Sequence, residues 1–148
     1  AGASAASNHF VAIDASGMVT LTCSRSEMGQ GVRTGMPMII ADEMEADWNR
    51  VKIWQAPGDP SKYDPPGKDG QNTDGSRSTR HDFEAMREMG AAARYVLEQA
   101  AAKTWGAEPH EVYAKDHRVY HTASGKSLGF GDLVGVAKGI NCPRTSLP

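Results

Sequence analysis

The chain is 148 residues long, the size of one ordinary domain, enough to bury roughly two thirds of its unfolded surface around a single core. Hydrophobic residues make up 39% and charged residues 23%, a globular balance, and a net charge of −2 supplies no field for gripping nucleic acid or anionic lipid. No apolar run approaches the ~20 residues that a membrane helix requires.

The Ala/Ser-rich start, Ala1 to Ser7, has neither a basic region nor an apolar core and reads as linker or a processed end, so residues 1–8 are assigned as linker. From Phe10 to Ser24 the sequence alternates: Phe10 and Ala12, then Val19, Leu21 and Cys23 after an Asp14-Ala15-Ser16-Gly17 turn, predict a two-stranded hairpin with these five on one face. The period changes at Gly31. Val32, Met36, Ile39, Ile40 and Met44 recur at three and four residues, predicting a helix from near Thr34 to before Trp48, with Pro37 tolerable only close to its start. Val51, Ile53 and Gln55 predict a third strand that stops at Pro57.

Residues 56–75 hold four of the eight prolines and no periodic segment. Loops beyond ~12 to 15 residues in a compact domain tend to be functional or disordered. From about Thr79, the stripe Phe83, Met86, Gly90, Ala93, Leu97, Ala100 and Ala101 predicts a long helix closed by Gly106, its small side chains admitting a neighbouring backbone closely. Val112 to Ala114 and Val119 to His121 predict a second hairpin around Asp116-His117. Phe130 to Lys138 predict a short helix begun by the Ser127–Gly131 region. Residues 141–148 show no periodicity. The domain is thus placed at 9–140 with an irregular tail, and the order β-β-α-β-loop-α-β-β-α argues a two-layer α+β fold. Cys23 and Cys142 have no metal-type spacing and read as free thiols.

Two stretches carry candidate chemistry. Ser26 to Gly35 places Gly29, Gln30 and Gly31 between strand and helix, where outward-facing amide groups of a helix start attract anions. The plain alternative is a tight turn needing positive φ. Thr73 to Arg80 precedes the long helix with hydroxyls at 76, 78 and 79, and Thr79 with Asp82 spells a possible capping box. A cap needs one hydroxyl, whereas several stand here beside Gly75, Arg77 and Arg80, and arginine holds phosphate through a planar fork. Both helix starts converging on one extended anionic ligand is the expectation. His117 and His121 read as surface histidines, with no third ligand at metal spacing. Trp48, Trp54 and Trp105 read as covering the edge of the core.

Glu27-Met28-Gly29-Gln30-Gly31 followed by Val32-Arg33-Thr34 resembles the EMGQG-[LV]-x-T segment of the molybdenum hydroxylases, the xanthine dehydrogenase and aldehyde oxidoreductase superfamily. Ala46-Asp47-Trp48-Asn49-Arg50-Val51, Gln55-Ala56-Pro57, Gly75-Ser76-Arg77-Ser78, Gly90-Ala91-Ala92-Ala93-Arg94 and Trp105-Gly106 follow in the order of one branch, the isoquinoline 1-oxidoreductase beta-subunit-like large subunits. The resemblance runs from Phe10 to about Lys138. It implies a molybdenum–molybdopterin cofactor, commonly in the cytosine dinucleotide form. By the family's pattern Gln30 would lie beside the metal as the catalytic-site residue, with Gly29 and Gly31 allowing close approach, while Gly75, Ser76, Arg77 and Ser78 would contact pterin and phosphate.

The implied reaction hydroxylates an aldehyde carbon, or a carbon next to nitrogen, with oxygen derived from water. The implied partners are the remainder of the large subunit, a small iron–sulfur subunit and a cytochrome c electron acceptor, with self-association into a homo-oligomer expected of an isolated section. Relatives begin with a twin-arginine export leader and an Ala-rich linker, which Ala1 to Ser7 would suit, implying a periplasmic location, otherwise cytoplasmic. The family's catalytic glutamate belongs to a later segment, Asp74 stands where relatives often have Gly, and Arg33 where His or Tyr is frequent. The chain therefore reads as one folded section of a larger polypeptide, not catalytic in isolation. The alternative is a non-catalytic anion-binding or assembly module on the same scaffold.

Overall fold

A computed structural model of the chain describes residues 5–63 and 71–142, with side chains from residue 9 onward. Strands β1 (Ala5–Asn8), β2 (Val11–Ile13) and β3 (Val19–Cys23) form an antiparallel run, and helix α1 (Val32–Glu43) leads to β4 (Val51–Gln55). A helical turn α2 (Pro60–Tyr63) and the long helix α3 (Ser78–Trp105) follow. The chain continues through β5 (Val112–Lys115), β6 (Arg118–His121), β7 (Ser127–Gly129) and helix α4 (Phe130–Ala137). The sheets have the orders β1-β2-β3-β4 and β5-β6-β7, and the α+β expectation holds.

The differences from the sequence reading are local and physical. β4 pairs parallel to β3, Val19 with Val51 through Cys23 with Gln55, so β3-α1-β4 is a crossover rather than part of a meander. In β2 the buried residues are Val11 and Ile13, facing Leu21 and Val19, one residue out of phase with the expected Phe10 and Ala12. Residues 5–8, expected as linker, pair with β2, because an Ala/Ser/Asn run needs only its backbone to extend a sheet. Helix α1 begins at Val32, two residues earlier than expected, and so places Pro37 sixth, where it donates nothing to the Arg33 carbonyl. Residues 127–129, expected to begin a helix, add β7 to the second hairpin before Gly129 caps α4. Of the expected tail, Asn141 and Cys142 are irregular and the rest lies outside the described residues, as do 64–70 of the long loop.

One core joins the layers. Val19 and Leu21 of β3, Met36, Ile40 and Met44 at α1, Met86 and Leu97 of α3, and Phe130 and Leu133 of α4 are all essentially closed to solvent. Gly90 is the point of closest helix approach: a Cβ there would lie 2.6 Å from the Ile40 carbonyl oxygen and 2.8 Å from Glu43 Cβ. The stripe on α3 is as expected except at its start, where Phe83 is exposed and Asp82 is buried. Glu43 pairs with Arg87 at 3.0 Å and Arg94 at 3.5 Å, tying α1 to α3 on their outer side.

The surface assignment of His117 is overturned. Asp116 and His117, at φ 49° and 66°, form the two-residue turn between β5 and β6, and the turn turns the His117 ring inward until it is 1% exposed. Its Nδ1 accepts from the Asp47 N–H at 3.0 Å, and Nε2 donates to the Gly17 carbonyl at 2.6 Å. Those partners require the neutral ring, and burial holds its pKa below the usual histidine value. Trp48 and Trp54 are 37% and 45% exposed instead of covering the core, while Trp105 stacks on His121. Cys23 and Cys142 form no disulfide, and burial pushes the Cys23 thiol up.

Candidate functional site

The chain leaves the end of β3 into the turn of residues 24–31, and the long loop re-enters the fold alongside it before α3. The Ser26 N–H donates to Thr73 Oγ1 at 2.8 Å, and Gln71 Nε2 donates to the Ser24 and Pro57 carbonyls at 3.2 and 3.0 Å. The two glycine-rich stretches singled out from sequence are thereby brought together as opposite walls of a cleft of about 540 Å³. One wall presents Met28, Gln30, Gly31, Val32 and Gly35, and the other Thr73, Asp74, Gly75, Ser76, Ser78 and Thr79.

In the turn that carries the first wall, Gly29 (φ 94°), which lies outside the lining, and Gly31 (φ 83°) take conformations that side chains avoid, folding the turn over the start of α1. The amides that this turn aims inward are already occupied. Glu27 Oε1 accepts from the Gly29 and Gly31 N–H groups at 2.7 and 3.0 Å, and Oε2 from the Arg33 N–H at 3.0 Å. These bonds, that from Arg33 foremost, hold the Glu27 carboxyl below the usual glutamate range. The chain's own carboxylate is therefore the anion at the start of α1, and the expectation of an open anion site there is corrected. Gln30 lines the cleft with its amide folded onto its own turn, accepting from the Met28 N–H at 2.6 Å and donating to the Ser26 carbonyl at 3.0 Å.

The second wall is the reverse case. Its helix begins after Arg77, whose side chain makes no capping bond, and the Thr79–Asp82 box does not form, since Thr79 lies inside the helix and Asp82 pairs with Arg25. The hydroxyls of Ser76, Ser78 and Thr79 have no partner among the described residues, so they and the first-turn amides of α3 are donors without an internal acceptor. Gly75 and Ser76 both have φ 53°. Arg77 lies outside the lining, its Nε donating to Asp74 Oδ1 at 3.2 Å. No cationic side chain lines the cleft among the described residues, leaving amides and hydroxyls to receive an anionic ligand.

Sequence reasoning missed Arg25, Glu27 and Asp82. Asp82 carried a signal: it stands four residues before Met86 and eight before Gly90, on the apolar stripe, where a carboxylate must find a buried cation.

Comparisons with known proteins give the family. The profile of the molybdopterin cofactor-binding domain family matches residues 1–146. The chain belongs to that family. It is 38% identical over 128 residues to the isoquinoline 1-oxidoreductase subunit beta of Brevundimonas diminuta, covering 86% of this chain and 16% of that protein. It is 38% identical over 124 residues to the membrane-bound aldehyde dehydrogenase [pyrroloquinoline-quinone] of Gluconacetobacter polyoxogenes, covering 83% and 15%. The fold matches the Cu,Mo-CO dehydrogenase in its carbon monoxide reduced state with a TM-score of 0.64 at 21% identity, over 83% of this chain and 15% of that one. The molybdopterin-binding domain thus spans about a sixth of the length of these relatives.

The donor set fits such a group. A cleft of this volume suits a small cofactor, its apolar side chains Met28 and Val32 can flank a ring system, and the vacant donors of Ser76, Ser78 and Thr79 suit phosphate oxygens.

Proposed function

We propose that this domain forms one side of the cofactor pocket in the large subunit of a molybdenum-dependent hydroxylase acting on aldehydes or N-heterocycles. The observation that carries the reading is the convergence of the Gln30 turn and the uncapped Ser78 helix start on one cleft. Gln30 would face the metal side by turning its amide out of the Met28 and Ser26 bonds, while Gly29 and Gly31 keep side chains out of the way. Gly75, Ser76 and Ser78 would hold pterin and phosphate through N–H and O–H donors, with Arg77 joining them on release from Asp74. When bound, the cofactor supplies the redox chemistry that transfers a water-derived oxygen to carbon. The cytosine dinucleotide form, the catalytic base in another part of the subunit, a separate iron–sulfur subunit with a cytochrome c acceptor, and a periplasmic location belong to the same proposal. So does the absence of turnover from this domain alone.

Gly35 offers a clean test, since it lines the cleft from the fourth position of α1 and a Cβ there meets nothing within 4 Å. Gly35→Trp in the full-length polypeptide is expected to leave the melting temperature of the cofactor-free protein unchanged or slightly raised, helix propensity favouring the substitution by a few tenths of a kcal/mol. Molybdenum and nucleotide content should fall at least ~10-fold, as expected when a pocket is filled. Parental content in the folded variant would remove the cleft from consideration.

A further inference from the structure

One guanidinium joins both walls of the cleft. Arg25 immediately precedes the Ser26 turn, and its Nε and Nη2 donate to Asp82 Oδ2 and Oδ1 at 2.8 and 3.1 Å, with both side chains 5% exposed or less. Its Nη1 donates to the Asn72 carbonyl. The second wall runs from Thr73 to Thr79, so Arg25 holds the chain on either side of that wall, at Asn72 and at Asp82. A two-point grip on a nine-residue interval fixes where the wall stands as well as how far it lies from the first.

Stability alone is a poor account of this cluster. A buried ion pair loses hydration that its Coulomb attraction barely restores, and an apolar pair of similar volume commonly serves folding as well or better. The same region also buries Ser24 Oγ and Gln71 Oε1 without partners among the described residues, which a stability-optimised contact would avoid. A bidentate pair with a third bond does supply what an apolar contact lacks, a single allowed geometry.

We infer that Arg25 and Asp82 are positioning residues of the cleft, which set the separation and register of its two walls for ligand binding and contribute little net stability. This rests on the reading of the cleft as the cofactor's pocket. Neither residue need touch the ligand, since each acts through the turn or helix start that it holds.

The test uses the full-length polypeptide with two variants, Arg25→Lys, which keeps the charge but loses the fork, and Arg25→Met combined with Asp82→Leu, which keeps an apolar contact. Melting of the cofactor-free protein is read beside molybdenum and nucleotide content per polypeptide. The double variant is expected to melt within a few degrees of the parent, and both variants to carry about ten-fold less cofactor, the usual scale for losing an orienting outer contact. Parental content in either folded variant overturns the inference, and should the double variant not fold, Arg25→Lys decides. Gly35→Trp separates the two failures: if it loses cofactor while Arg25→Lys keeps it, the cleft stands without the positioning role. If both keep it, the cleft reading itself falls.

Discussion

Helices α1 and α3 both begin beneath glycine-bearing turns and face one cleft, yet their first amides are treated in opposite ways. At α1 the Glu27 carboxylate accepts from Gly29, Gly31 and Arg33, so the positive end of the helix is neutralised from within. At α3 no side chain caps, and three hydroxyls beside the open amides have no partner among the described residues. A glycine-rich helix start is therefore an anion site only where the chain has not furnished the anion itself. With α1 satisfied, the vacant donors of the cleft lie on the Ser76–Thr79 side.

Three variants would break or sharpen that contrast. The largest effect is expected at Gly90, whose missing side chain sets the distance between the two helices. Gly90→Val must displace the Ile40 carbonyl, and we expect a loss of about 3 kcal/mol in urea unfolding together with reduced cofactor content. A neutral variant would mean that the helix spacing is not held there. Next, Ser76→Ala with Ser78→Ala should leave unfolding unchanged, as neither hydroxyl bonds within the described chain. Cofactor affinity should weaken by about 2 kcal/mol, or roughly thirty-fold, for lost hydrogen bonds to a charged group. Undiminished affinity would return the anion to some other part of the cleft.

The smallest effect belongs to Glu27. Because its folded pKa is depressed, the stability it contributes is present above the usual glutamate value of about 4.3 and is lost as pH falls through the folded value. The Arg33 and Gly31 amide resonances should titrate with it, those of Ser78 and Thr79 should not, and Glu27→Gln should abolish the titration with a slight fall in melting temperature. Titration at Ser78 instead would reverse the contrast.

Much of this was legible in sequence where the signal is local. The 3.6-residue period located α1 and α3, and the glycine of the Trp105-Gly106 helix end takes the left-handed conformation expected of a closing glycine. The two walls were legible as glycine-and-hydroxyl stretches, and Gln30, Gly31, Gly75, Ser76 and Ser78 do meet at the cleft, while Arg77 turns aside to Asp74. What escaped was set at a distance. The parallel pairing of β3 with β4 leaves no hairpin turn to read, and β7 is three residues ending in Gly129. Asp82 looked like half of a capping box because its actual partner, Arg25, lies 57 residues away. His117 looked like a turn residue, which it is, but turn chemistry does not say which way the ring will point.

The length of α3 gives the molecule a direction. Twenty-eight residues at about 1.5 Å each make a rod of about 42 Å. Ser78 stands at one end, beside the cleft, and Trp105 at the other, stacked on His121 of the second sheet. The domain therefore has a chemical pole and a mechanical pole. The β5-β6-β7 sheet sits at the far end of that rod from the cleft, and it is tied a second time to the first layer by the His117 turn, whose ring bonds Asp47 and Gly17.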